Sequence, residues 1–143
     1  MELSFHTQGV QMPSINEELL HQWILKVALS HKKTVGEIAY IFCSDEVILE
    51  TNQRYLQHDY YTDIITFDYT EGNKISGDIF IGLETVESNA SAYNAPLKEE
   101  LHRVIIHGIL HLCGMEDQTP GQREKMEQEE NKALSLIKEH LTA

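Results

Sequence analysis

Residues 107 to 117 read HGILHLCGMED, and their polar atoms could hold a metal ion. His107 and His111 are one helical turn apart, so both imidazoles leave the same face of a helix. Nitrogens on neighbouring turns can converge on one ion, which is why H-x-x-x-H recurs in zinc sites. Gly114 can adopt the left-handed conformation that ends a helix and turns the chain back. Asp117 follows by three, close enough to return a carboxylate to the same ion. The pattern matches the extended zinc motif HxxxHxxGxxH, with aspartate at the third ligand position. Two histidines on an apolar helix can also be core residues with satisfied hydrogen bonds. The glycine and the acid at the right offsets favour the metal.

Three protein ligands leave a fourth position for water, the mark of a catalytic site. A metal there would lower that water's pKa and could polarise a phosphoryl or carbonyl oxygen. In HExxH proteases the residue after the first histidine is the general base; here it is Gly108, which has no side chain to serve. Peptidase activity is therefore disfavoured. His₂Asp is also similar to the ligand set of non-haem iron enzymes, so the ion is zinc or another divalent metal.

The element that must carry the histidines is a helix. In PLKEELHRVIIHGILHLCG the stripe Leu97, Leu101, Val104/Ile105, Gly108 and Leu112 has helical spacing. His102 lies about 140° round that helix from His107 and is not a ligand. Cys113 points to another side and reads as core filler. Upstream, ELSFHT alternates like a strand. An amphipathic helix then runs from about Ile15, with Ser14 as N-cap and Lys32 and Lys33 at its C-terminal end. EIAYIFCS reads as a buried strand, followed by a helix capped by Ser44 and running to about Gln57. TDIITFDY and SGDIFIG form an antiparallel hairpin through TEGNK. A helix near 84–93, a second beginning near Pro96 and a last one from Pro120 to Leu141 complete the chain. The expected fold is α+β: a small mixed sheet of about four strands flanked by helices, the metal-binding helix in the C-terminal half.

With 143 residues, 41% of them hydrophobic, the chain fits one domain spanning 1–143. MELSFHTQGV lacks the basic start and apolar run of a signal peptide, and no stretch is apolar enough to span a membrane. Cys43 and Cys113 form no CxxC pair and read as reduced thiols of a cytoplasmic protein. The net charge of −12 opposes non-specific binding to nucleic acid. A bound cation and a few arginines can still make one local site positive. Much of the acidity, as in REKMEQEE, reads as a solvated helix face.

Four ordered pieces, FCSDEVILETNQRYLQHD, YTDIITFDY, SGDIFIG and EELHRVIIHGILHLCGMED, resemble the YbeY family of bacterial metal-dependent endoribonucleases. The family signature HGxLHLxGyDH is met at His107, Gly108, Leu110, His111, Leu112 and Gly114. The resemblance implies processing of small-subunit ribosomal RNA and ribosome quality control, with zinc held by the motif positions. It carries the first two ligands to His107 and His111, and it raises Thr62, Asp63 and Thr66 as groove residues. In two places the sequence departs. The family's third histidine is replaced by Asp117, and the arginine of its NxxYR segment by Leu56. Arg54, His58 and Arg103 are the candidates to replace that cation. Asp78 could orient a ligand histidine, as metal sites commonly require, or cap a turn.

The resulting expectation is a cytoplasmic metal-dependent endoribonuclease with His107, His111 and Asp117 holding one zinc or another divalent ion. No residue stands out as its general base. Its substrate would be RNA presented within a ribosomal particle, with ribosomal or assembly proteins as partners and no membrane. The alternatives are a ribosome-assembly binding module with a structural metal and, behind it, a metallopeptidase.

Overall fold

Runs rich in isoleucine, tyrosine and phenylalanine pair into the sheet that the rest of the chain covers. The computed structural model describes residues 2–56 and 62–141. In chain order the elements are β1 (Glu2–Gln8), α1 (Glu17–Ser30), β2 (Thr34–Cys43), α2 (Asp45–Leu56), β3 (Ile64–Asp68) and β4 (Lys74–Gly82). After them come α3 (Leu83–Ala92), α4 (Leu97–Leu112), α5 (Pro120–Ser135) and the single turn α6 (Lys138–Leu141). The four strands lie in the order β1-β2-β4-β3. β1 runs parallel to β2 and β2 parallel to β4, while β3 is the antiparallel edge. The fold is thus the expected α+β arrangement of a mixed four-stranded sheet and flanking helices.

Strand alternation decides which face meets α4. Tyr40 and Phe42 of β2, and Ile75, Ile79 and Ile81 of β4, are fully buried in one cluster with Ile105, Ile106 and Ile109 of α4. Each such side chain contributes roughly 1.5–3 kcal/mol on burial. The Tyr40 hydroxyl donates to the Ile105 carbonyl at 2.8 Å, fixing the height of α4 over the sheet. Trp23 of α1 donates through Nε1 to the Ala133 carbonyl at 2.8 Å, tying α1 to α5. On the opposite face α2 packs a smaller cluster of Ile48 with Cys43 and Ile65. Both cysteines are free; burial pushes the Cys43 thiol up to about 12 and the Cys113 thiol to about 11.

Several boundaries differ from the sequence expectation. The N-cap of α1 is Asn16, whose side chain accepts from the Leu19 amide at 3.1 Å, not Ser14. Lys32 has φ +61° and lies beyond that helix, so the two lysines follow its last turn. Ser44 does cap α2, accepting from Val47 N–H at 3.3 Å. Pro96 is the N-cap of α4 and lies just outside the helix. The final helix tightens at Leu136 and Ile137, whose amides reach back only three residues. That tightening keeps Ile137 and Leu141 in the core. Among the described residues, no helix is long and apolar enough to cross a membrane.

Candidate metal centre

Helix α4 carries His107 and His111 on the face that looks out from the core toward a cleft of about 590 Å³. The approach of α4 to the sheet explains why Gly108 is glycine. A Cβ built there would stand 2.9 Å from Ile79 Cδ1 and 3.3 Å from Ile64 Cδ1. The position after the first histidine is therefore a close contact with the sheet, with no room for a glutamate base.

The end of α4 returns the third group. Gly114, at φ +100°, donates to the His111 carbonyl at 2.9 Å, and Met115 N–H donates to Leu110 at 3.1 Å. These are the two bonds of a Schellman stop, which only a left-handed residue can close without strain. Met115 packs on the core beyond the turn, and Asp117 comes back over the histidines. Its Oδ2 lies 3.4 Å from His107 Nε2 and its Oδ1 3.6 Å from His111 Nε2. One ligand atom from each of the three falls within 4.8 Å of the others. Two ligands roughly 2.0–2.1 Å from one tetrahedral ion stand about 3.3 Å apart, close to the spacing of Asp117 from each imidazole, so this donor set could hold a metal.

Helix α5 begins immediately afterwards with a capping box. Thr119 accepts from Gln122 N–H, the Gln122 side chain accepts from the Thr119 amide, and Pro120 holds the first position. Running back along α4, α5 delivers Glu130, only 8% exposed, to His107. Glu130 Oε2 is 2.6 Å from His107 Nδ1. An ionised carboxylate only accepts, so Nδ1 is the nitrogen that donates to Glu130, and in the neutral ring Nε2 is the one left to bind a metal. Arg103 donates from Nη1 to Glu130 Oε1 at 3.0 Å and from Nη2 to Asn131 Oδ1 at 2.6 Å.

The electrostatics are those of a cation site. Asp63, Asp68, Glu100, Asp117 and Glu130 all line the cleft, and Arg103 is the one lysine or arginine among its described lining residues. Burial raises Asp63 above the usual carboxylate range; the His107 charge opposes this, while Glu130 and Asp117 add to it. Burial likewise raises Glu100, with Arg103 opposing. For His107, burial alone would lower the imidazole. The Glu130 hydrogen bond and the charges of Glu130, Asp117 and Asp63 outweigh it and raise the imidazole.

A family model described as Endoribonuclease YbeY matches residues 3–138. The chain belongs to the YbeY endoribonuclease family. Relatives that carry the same description include a Bacteroides fragilis protein, 60% identical, with 97% of this chain and all of the relative covered. A Phocaeicola vulgatus protein is 64% identical over 94% of this chain and 98% of its own. One from Porphyromonas gingivalis is 49% identical over 96% and 91%. A solution structure from Thermotoga maritima superposes with TM-score 0.67 at 27% identity, covering 96% of this chain and 93% of that one. In this YbeY family chain the nuclease fold and the cluster of possible metal ligands thus occur together.

Other residues singled out in the sequence fall into two groups. Thr62, Asp63 and Thr66 line the cleft opposite α4, and Arg103 lines it from α4. Arg54 does not line it; it sits on α2, 3.4 Å from Glu50, with both side chains exposed. His58 and the side chain of Leu56 lie outside the described residues. Asp78 faces away from the histidines. On β4 it alternates with Ile79 onto the outer face of the sheet, where it accepts from the Tyr69 hydroxyl at 3.3 Å. His102 is buried against Trp23, with its Nδ1 2.7 Å from the Lys98 carbonyl.

The carboxylate beside His107 is Glu130, in the segment read as a solvated helix face. A signal for it exists in the sequence. Glu130 falls on the same stripe as Met126, Ala133 and Leu134, all buried, and an acid on an apolar stripe needs a partner.

Proposed function

We propose that this protein is a metal-dependent endoribonuclease that hydrolyses single-stranded RNA, with zinc held by His107, His111 and Asp117. Its place would be the maturation of small-subunit ribosomal RNA and ribosome quality control in the cytoplasm. The observation that carries the reading is the convergence of two imidazole nitrogens and one carboxylate in the wall of an acid-lined cleft. Such a cleft repels a phosphodiester until a cation offsets its charge.

When bound, zinc supplies a Lewis acid for a phosphodiester oxygen and lowers the pKa of a water molecule. His107 and His111 contribute neutral Nε2 donors from one rigid helix face, and Asp117 supplies the charge. Thr62 and Thr66 offer hydroxyls along the opposite wall, and Asp63 a half-buried carboxyl, so the RNA backbone is held between α4 and the segment 62–68. Arg103 is already engaged by Glu130 and Asn131, which leaves positive charge for the phosphate scarce. With −12 overall, affinity for naked RNA would be weak, and a ribosomal particle or a partner protein would supply the context.

The test compares metal content, RNA cleavage and thermal melting in the parent and in Asp117→Ala. One equivalent of zinc in the parent, lost from the variant together with cleavage while melting changes little, is the expected result. Metal retained by Asp117→Ala removes that residue as a ligand. Metal and fold lost together, with no cleavage even by the parent, would mean a structural metal in a binding module.

A further inference from the structure

Three residues beyond the ligand set form a continuous chain into it. Asn131 and Glu130 are consecutive on α5, and the Arg103 guanidinium reaches both with separate nitrogens, at 2.6 and 3.0 Å. The second Glu130 oxygen meets His107 Nδ1 at 2.6 Å. Glu130 is nearly buried, and a carboxylate taken out of water is tolerated only when its lone pairs are satisfied, here by one guanidinium N–H and one imidazole N–H.

We propose that Glu130 and Arg103 are positioning residues for the metal centre: Arg103 fixes the Glu130 carboxylate, and Glu130 fixes the tautomer and ring direction of His107. The proposal rests on the reading of His107 as a ligand. It also reassigns Arg103, which the sequence offered as a cation for the scissile phosphate. Its fork is spent on α5. A lysine could not reproduce it, because one ammonium does not span two acceptors with the same planar geometry. The metal centre on this view has two walls: α4 supplies the imidazoles, and α5 determines which nitrogen of His107 is available.

A simple strut between α4 and α5 would contain the same Arg103–Glu130 contact, so the test must read the imidazole itself. The variants are Glu130→Ala, Glu130→Gln and Arg103→Lys. The first measurement is side-chain ¹⁵N NMR on metal-free protein, with the pH raised until the His107 ring nitrogens report the neutral form. The parent should show His107 as the Nδ1–H tautomer, and Glu130→Ala should lose that preference. Glu130→Gln has one acceptor oxygen for two donors; with that oxygen held by Arg103, its amide N–H₂ faces Nδ1 and should shift His107 toward the Nε2–H tautomer.

The second measurement is zinc affinity by competition with a chromophoric chelator. Glu130→Ala should bind roughly 10–100-fold more weakly, with Arg103→Lys between it and the parent. Unchanged tautomer and zinc affinity in Glu130→Ala, with only a lower melting temperature, would reduce the pair to a strut and overturn the proposal. If Glu130→Ala does not fold, the comparison of Arg103→Lys and Glu130→Gln with the parent decides it on the same two readouts. A parent that binds no zinc would refute the metal reading, while the tautomer, measured without metal, still tells whether Glu130 orients His107.

Discussion

Gly108→Ala adds one methyl group where α4 lies closest to the sheet. The new carbon would stand 2.9 Å from Ile79 Cδ1, 3.1 Å from Ile79 Cγ2 and 3.3 Å from Ile64 Cδ1. Carbon atoms pack best at roughly 3.5–4.0 Å, so both isoleucines must yield by several tenths of an ångström. Overpacking of this kind costs about 1–3 kcal/mol. Alanine recovers about 1 kcal/mol through its higher helix propensity. The net loss is then about 1 kcal/mol, which lowers the melting temperature by roughly 3–5 °C for a domain of this size.

Urea denaturation gives the free energy directly, and an unchanged m-value would show that only stability moved. The cause is isolated by Ile79→Val, which removes the Cδ1 atom nearest the new methyl. Alone it should cost about 0.5–1.5 kcal/mol, as such truncations do. In the Gly108→Ala background it should cost almost nothing, a coupling of about 1 kcal/mol. Equal costs in both backgrounds, or a Gly108→Ala protein as stable as the parent, would refute the close approach. Gly108→Glu, which writes HExxH into the chain, adds a buried carboxylate to the same clash. It is expected to unfold the domain, not to create a peptidase.

Two further outcomes can be checked. Gly114→Ala places a side chain at φ +100°, costing about 1–2 kcal/mol. Because that turn returns Asp117, zinc affinity measured by chelator competition should fall with it; stability lost with affinity intact would refute the link. Burial holds the His102 imidazole below its usual range, against the opposing effect of its Lys98 carbonyl contact. The unfolded chain therefore takes up this proton more readily than the fold does. The contribution of His102 is present in full above about pH 6.5 and is lost as pH falls through the lowered value. Melting curves from pH 7 to pH 5 should accordingly be flatter for His102→Phe than for the parent, and parallel curves would contradict this.

Helix α4 was legible because one helical stripe and two histidines a turn apart leave little choice of face. The hairpin of β3 and β4 was legible because its turn is short. Strand order was not, since the parallel pairs β1–β2 and β2–β4 depend on how the intervening helices pack. The side of Asp78 was hidden for a different reason. Both faces of β4 carry apolar residues, Ile79 on one and Phe80 on the other, so alternation alone could not tell which faces α4. Glu130 was obscured by its neighbours. Among so many acids, an acid on the buried side looks like one more solvated charge until the stripe is traced. The Asn16 cap was missed because Ser14, two residues earlier, has equivalent chemistry.

The close succession of α4, its glycine stop and α5 also fixes where the chain can change length. One extra residue in a helix rotates everything beyond it by roughly 100° and advances it about 1.5 Å. Inserted between His107 and His111, it would part the imidazoles; between Met126 and Glu130, it would swing the carboxylate out of the core. At Gly72, in the turn between β3 and β4, a Cβ would meet nothing within 4 Å, and the residues there carry no part of the cleft. Residues 103 to 131 therefore behave as a segment of set length, open to exchange of side chains but closed to insertion, and the hairpin tip is where the chain can grow.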